Sequence, residues 1–202
     1  MKVLFATTNL AKINYYAEEL IRKGMTILTL NDLKLSSEIE EDGKDPVESA
    51  IVKAKSYYNI SKITTVAMED RLYIEGLEEA LQPNINFRKV NGKRLEDNEM
   101  IEYYSNLVKK LGGKAGAKWI KGVAIYSKGG LKTLEYSKVN FWLVDKPSRE
   151  IKEGYPLDSL TMIPEFNKYL TDLTWEEYEL FKKQNNSKSI LDFIIKNVWG
   201  GV

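Results

Sequence analysis

The sequence predicts an α/β fold built on a long mixed β-sheet flanked by helices, and three observations carry that reading. The first half alternates short β-branched or aromatic runs with segments of helical periodicity, the pattern of strands joined by helices. From Trp119 the periodicity changes to two, as in a meander of strands. The 202 residues are 43 % hydrophobic and 11 % aromatic, enough to bury a core, and with no repeat, low-complexity tract or linker they read as a single domain over 1–202.

Lys2 to Thr7 (KVLFAT) reads as a strand, and Ala11 to Lys23 as a helix because Ile13, Tyr16, Leu20 and Ile21 recur at helical spacing. Met25 to Leu30 is a second strand, and the acidic run Glu38-Ile39-Glu40-Glu41-Asp42-Gly43 is a loop. Pro46, with its fixed φ and no N–H, suits the first turn of a helix to Tyr58 whose inner face holds Ala50, Ile51, Ala54 and Tyr57 or Tyr58. Ile63 to Met68 is a third strand ending at Glu69-Asp70, with Leu72 to Ile74 as an optional extension. Met100, Ile101, Tyr104, Leu107, Val108 and Leu111 stripe a helix over Asn98 to Leu111, stopped by Gly112-Gly113. The segment beginning at Trp119 holds two or three strands, the first pair joined across Ser127-Lys128-Gly129-Gly130. Thr174-Trp175-Glu176-Glu177 matches a capping box that opens a helix to Lys183, and Ile190, Leu191, Ile194, Ile195 and Val198 mark a last helix.

Composition removes much chemistry. With no histidine and no cysteine, disulfides, thiolate metal sites, Cys nucleophiles, Ser-His-Asp triads and imidazole switches are excluded. Catalysis must run on carboxylates, lysine, tyrosine, hydroxyls or an oxygen-bound metal. The net charge of +1 gives no general field for polyanions, so no nucleic acid is expected as a partner on charge alone. No apolar run is long enough to span a bilayer, and MKVLFATTNLAK turns polar too early for a signal peptide, so a cytoplasmic protein without membrane partner is expected.

Four segments invite a functional reading, each with a plain structural alternative. Ala6 to Lys12 sits where strand gives way to helix; its free N–H groups and Lys12 suit a phosphate, or Asn9 simply caps the helix. Glu38, Glu40, Glu41, Asp42 and Glu48 offer the carboxylates that a hard divalent cation takes, or form a solvated acidic loop before a helix N-terminus. Glu69-Asp70 after an apolar strand stands where open α/β sheets place ligands, one of the two facing a given site, or starts a turn. Gly112 to Lys118 lacks the spacing of a phosphate-binding P-loop and is read as a connection. Trp119, Tyr126, Tyr136, Phe141 and Trp142 could stack single-stranded bases, but their spacing on strands suits sheet and core packing better.

Together these segments resemble the inosine triphosphate pyrophosphatase family, which hydrolyses unusual purine nucleoside triphosphates. The resemblance lies in T-x-N-x-x-K (Thr7, Asn9, Lys12), in E-I-x-E-x-G followed by E-N-A-x-x-K-A (Glu38 to Gly43; Glu48 to Ala54), and in the acidic pair after a strand (Glu69, Asp70). Gly154-Tyr155-Pro156-Leu157-Asp158, with Pro164 and Lys168 behind it, is similar to the family's G-F-G-Y-D-P stretch. The resemblance implies a long mixed sheet in two lobes with a central nucleotide cleft, a homodimer, and Mg²⁺-dependent cleavage of the α–β bond to monophosphate and pyrophosphate. It implies Glu38 and Asp70 as metal ligands, Glu69 and Asp70 as the catalytic pair with Asp70 acting on the attacking water, and Thr7, Asn9, Lys12, Lys53 and Asp158 as substrate-binding residues.

The chain also departs from the family pattern. Ser-His-Arg near the C-terminus aligns with Asn185-Asn186-Ser187, the Ser-Gly after the acidic pair shortens to Arg71, and the glycine-rich purine loop is replaced by Leu81-Gln82-Pro83-Asn84-Ile85. The losses fall on base recognition and the retained residues on metal and triphosphate. The expected function is therefore a nucleoside triphosphate pyrophosphohydrolase of altered base specificity; the alternative is a non-catalytic relative that binds nucleotide or protein.

Overall fold

The computed structural model describes all residues except 8, 9, 37, 38, 40–44, 185–187 and 200–202. Among the described residues the order is β1 (Lys2–Phe5), α1 (Leu10–Arg22), β2 (Thr26–Thr29), α2 (Pro46–Ser61), β3 (Thr65–Ile74), β4 (Lys89–Val90), β5 (Lys93–Arg94), α3 (Asp97–Lys110), β6 (Lys114–Ser127), β7 (Gly130–Val144), β8 (Thr161–Ile163), β9 (Lys168–Tyr169), α4 (Trp175–Gln184) and α5 (Lys188–Trp199). Seven strands form one mixed sheet in the order β2-β1-β3-β6-β7-β8-β9, and β4 pairs with β5 apart from it. β1 runs parallel to both β2 and β3, with Leu4 opposite Thr65 and Phe5 opposite Val66, whereas β8 is antiparallel to β7 and β9. The mixed α/β class expected from the sequence is what the chain forms.

The chain divides into two compact units, residues 1–70, 120–136 and 187–202, and residues 71–119 and 137–186. In the first unit the central strands carry helices on both faces. Val3, Phe5, Val66, Met68, Val123 and Ile125 pack with Ile13, Tyr16 and Leu20 of α1 and Ile190, Ile194 and Val198 of α5. The alternate residues Leu4, Ala6, Ala67 and Ala124 pack with Ala50, Ala54 and Tyr57 of α2. Such two-sided coverage explains why these strands read as nearly continuous apolar runs. α2 starts where Pro46 was expected to start it, with the Asp45 carboxylate accepting from the N–H groups of Val47 (2.7 Å) and Glu48 (3.0 Å).

In the second unit Leu72, Ile74, Ala115, Ala117, Phe141 and Leu143 meet Met100, Tyr104 and Val108 of α3 and Leu157, Leu160 and Ile163. Glu96 and Glu99 form a capping box at the start of α3, and Thr174 and Glu177 exchange the bonds of another at α4. Gln82 holds a polar seam here: its side chain accepts from the Ile74 N–H (2.9 Å) and donates to the carbonyls of Ile74 (2.7 Å) and Leu77 (3.1 Å). Gln82→Leu strands these backbone groups and is expected to cost about 2–4 kcal/mol, read as a lower urea midpoint at unchanged m-value.

One sequence expectation left open is settled and another is corrected. β3 takes the optional extension past Glu69-Asp70 and runs on to Ile74, because Leu72 and Ile74 keep the two-residue alternation and are fully buried. Residues 114–118 are not a connection but the first part of β6: Ala115 and Ala117 face the core, and residues this small leave little periodic signal. β6 and β7 make one hairpin across the two intervening residues Lys128 and Gly129, with Gly130 at φ +97°. The aromatic residues have packing partners: Phe141 is buried, Trp119 stands edge-on to Phe87 at 4.9 Å, Tyr126 to Tyr58 at 5.1 Å, and Lys114 lies over the Trp142 ring at 4.2 Å. Among the described residues no helix is long and apolar enough to cross a membrane.

Candidate active site

Glu69 and Asp70 are adjacent on β3, so their side chains leave opposite faces of the strand. Asp70 continues the series Val66, Met68 on the α1 face, and Glu69 continues Ala67 on the α2 face. Each carboxylate therefore meets a lysine from a different helix. Lys12, in the first turn of α1, places Nζ 3.0 Å from Asp70 Oδ2 and donates to the Met68 carbonyl at 3.1 Å. Lys53, on α2, donates to Glu69 Oε1 at 2.5 Å. A third lysine, Lys121 of β6, donates to Asp70 Oδ1 at 2.9 Å. Although β3 itself continues, both carboxylates lie past the carboxyl end of β1, whose Phe5 faces Val66 and whose following Ala6 N–H bonds the Val66 carbonyl at 2.8 Å. This is the edge of an open parallel sheet at which ligands collect. Thr7 follows at that edge, its N–H donating to the Phe5 carbonyl at 2.9 Å.

Burial by itself would push the Asp70 carboxyl up, but the ammonium groups of Lys12 and Lys121, with the hydrogen bonds they donate, outweigh it and hold Asp70 well below the usual carboxylate range. Asp70 is thus fully ionised at neutral pH. Hard oxygen donors are what Mg²⁺ takes, commonly one or two carboxylates with phosphate oxygens and water making up the octahedron, so the chemistry of Asp70 fits a metal–nucleotide complex. Among the described residues no cluster of three or more acidic groups forms a closed cage. Glu38 and Asn9 lie outside the described residues, as do Glu40, Glu41, Asp42, Gly43 and Asn185-Asn186-Ser187. Glu48 is exposed in the first turn of α2, its N–H bonded to Asp45.

Asp158 belongs to the second unit. It stands in a short 3₁₀ helix, Pro156–Leu160, on the wall of a cavity of about 520 Å³ that Lys152, Thr171, Leu173, Trp175 and Tyr178 also line. Burial pushes its carboxyl up to about 6, partly offset by the charge of Lys152. Below the ordinary value of 3.8 the group is protonated folded or unfolded; from there to about 6 the folded chain keeps a proton that the unfolded chain has released. Stability therefore falls as pH rises through that window and stays lower above it. Asp158→Asn is expected to raise stability at pH 7 by about 1–2 kcal/mol, the gain vanishing below about pH 4, as measured by denaturation across pH.

The model of the Ham1 family matches residues 3–187. The chain belongs to the Ham1 family. Among curated Ham1 relatives, a dITP/XTP pyrophosphatase of Leptospira interrogans is 30 % identical over 96 residues, which is 48 % of either chain. The matched part is thus about half the length of that relative. A dITP/XTP pyrophosphatase of Campylobacter jejuni subsp. doylei is 26 % identical over 97 % of this chain and 100 % of its own. The solved structure of a HAM1 protein from Coxiella burnetii superposes with a TM-score of 0.80 at 19 % identity, covering 98 % of this chain and 99 % of that one, a likeness of fold. The family resemblance read from the motifs is borne out.

Within this Ham1 chain, four residues singled out by the motifs form two ion pairs on β3, Lys12 with Asp70 on one face and Lys53 with Glu69 on the other. Lys121 was missed. Its signal was present: on β6 it shares the parity of Val123 and Ile125, which are buried, and a lone lysine on an apolar face needs an anionic partner. Arg71, the other basic residue near the pair, is engaged by Glu79 at 2.6 Å in the second unit.

Proposed function

We propose that this protein is a Mg²⁺-dependent nucleoside triphosphate pyrophosphohydrolase, cleaving the α–β bond of unusual purine nucleotides to monophosphate and pyrophosphate. One observation carries the reading: an ionised Asp70 between two lysines at the carboxyl edge of a parallel sheet, where a polyphosphate and an attacking water can share one place. The dITP/XTP pyrophosphatase names of Ham1 relatives support the substrate class.

Lys12 and Lys53 leave their carboxylates to bind triphosphate oxygens, with Thr7 and Asn9 adding donors before α1. Asp70 accepts a hydrogen bond from the attacking water and orients it toward the α-phosphorus. It acts as an orienting acceptor, and the proton released by the attacking water passes to solvent. The water oxygen bonds to phosphorus, and the bridging oxygen leaves with pyrophosphate. Glu38 and Asp70 would hold Mg²⁺, whose part is to neutralise phosphate charge and polarise the reacting centre. Asp158 is kept as a substrate-binding residue on the motif resemblance. A single domain over 1–202, working as a homodimer in the cytoplasm, completes the reading.

The test is pyrophosphate release from ITP, XTP, dUTP and ATP with Mg²⁺, against Asp70→Asn. Turnover by the wild type above that control is expected. If there is none, the engagement of both Asp70 oxygens by lysine favours the second reading, a relative that binds nucleotide without hydrolysing it. Titration with a non-hydrolysable triphosphate analogue would then detect the binder.

A further inference from the structure

We propose that Lys121 is a phosphate-binding lysine of this site: it rests on Asp70 in the free protein and moves to a phosphate oxygen when a polyphosphate enters. The proposal rests on the nucleotide reading above and adds a residue that the family motifs do not contain. A single carboxylate, Asp70, is shared by two ammonium groups, at 3.0 Å on one oxygen and 2.9 Å on the other, while Glu69 takes Lys53. Among the described residues two ammonium groups thus meet on the one carboxylate of Asp70, in a setting where the Lys12, Lys121 and Asp70 side chains keep only 20 %, 30 % and 19 % of their exposure. Partial burial weakens screening, so two ammonium groups on one carboxylate repel each other while a polyphosphate would satisfy both. Of these three side chains Lys121 is the most exposed, and its four-carbon stem lets the ammonium swing without moving β6. The contrary possibility is that Lys121 only positions Asp70.

The two are separated by calorimetric titration with inorganic tripolyphosphate in EDTA, so that neither metal nor turnover enters. Wild type, Lys121→Met and Lys121→Gln are compared, each also in an Asp70→Asn background where Lys121 has no carboxylate to position. A phosphate-binding Lys121 predicts about tenfold weaker binding for Lys121→Met and Lys121→Gln in both backgrounds, the size of one charge-assisted hydrogen bond, with Lys121→Arg recovering most of it. Tripolyphosphate binding unchanged by Lys121→Met in the Asp70→Asn background overturns the proposal, whatever happens in the wild-type background. Lys121→Gln keeps a donor to Asp70 and guards against loss of fold in the methionine variant. Failure of the nucleotide reading shows separately, as absence of pyrophosphate release by the wild type while tripolyphosphate still binds.

Discussion

Asp70→Asn is expected to lower the rate of pyrophosphate release by about 100-fold or more. The amide cannot orient water as a carboxylate does, and removing an orienting or general-base group typically costs about 10²- to 10⁴-fold. Loss of the carboxylate releases Lys12 and Lys121 toward phosphate, while loss of a metal ligand weakens the hold on a metal–nucleotide complex. The fall in kcat is the signature of an interaction made in the transition state. The substitution also leaves two ammonium groups close together without their shared counter-charge. Breaking a fully buried pair costs about 3–5 kcal/mol, but these side chains keep part of their hydration, so about 1–2 kcal/mol is expected. For a chain of this length that is a fall in Tm of only a few degrees, so the inactive variant is folded at assay temperature. Steady-state kinetics with a thermal melt checks both halves, and an unchanged kcat removes Asp70 from the chemistry.

Gly122→Ala is expected to be the most destabilising single-methyl change in the first unit. A Cβ built on Gly122 would lie 2.2 Å from the carbonyl carbon of Pro46 and 2.4 Å from the Val47 nitrogen. Those are backbone atoms of the first turn of α2, pinned by the Asp45 cap, so the helix must shift bodily. Overpacking of this kind costs about 1–3 kcal/mol, and with no flexible neighbour to give way the upper end applies, a fall in Tm of about 6–12 °C. Gly116 provides the control. Its Cβ would meet the Glu75 carboxylate at 2.0 Å, a nominally worse overlap, but that is the far end of a flexible side chain that can rotate into water. Gly116→Ala is expected to cost less than about 1 kcal/mol. Equal effects from the two substitutions would show that α2 can slide on β6. Because Lys53 rides on α2, a displaced helix in Gly122→Ala would also loosen the Lys53–Glu69 pair and weaken polyphosphate binding.

Much of this molecule was legible before its structure. α1 and α2 were found from apolar spacing and from Pro46, and α4 from its capping box, because these signals are local: a few neighbouring residues decide whether backbone N–H groups find partners. The short strands β8 and β9, three and two residues long, carry no period to read. The continuation of β3 past its carboxylates stays open in the sequence because a charged pair inside a strand looks like its end; the lysines that neutralise the pair come from other elements. The same limit hid Lys121, which stands 51 residues from Asp70.

The sequence by itself determined the order of the longer elements, the α/β class, the lysines and carboxylates available, and, by lacking histidine and cysteine, the kinds of chemistry open to the site. Tertiary structure decided which lysine meets which carboxylate. Alternation along β3 sends Asp70 and Glu69 to opposite faces, but only the packing of α1, α2 and β6 on those faces brings Lys12 and Lys121 to Asp70 and Lys53 to Glu69. Period and propensity act over a few residues, whereas the charge felt by a carboxylate is set by whatever the folded chain brings within a few ångströms of it.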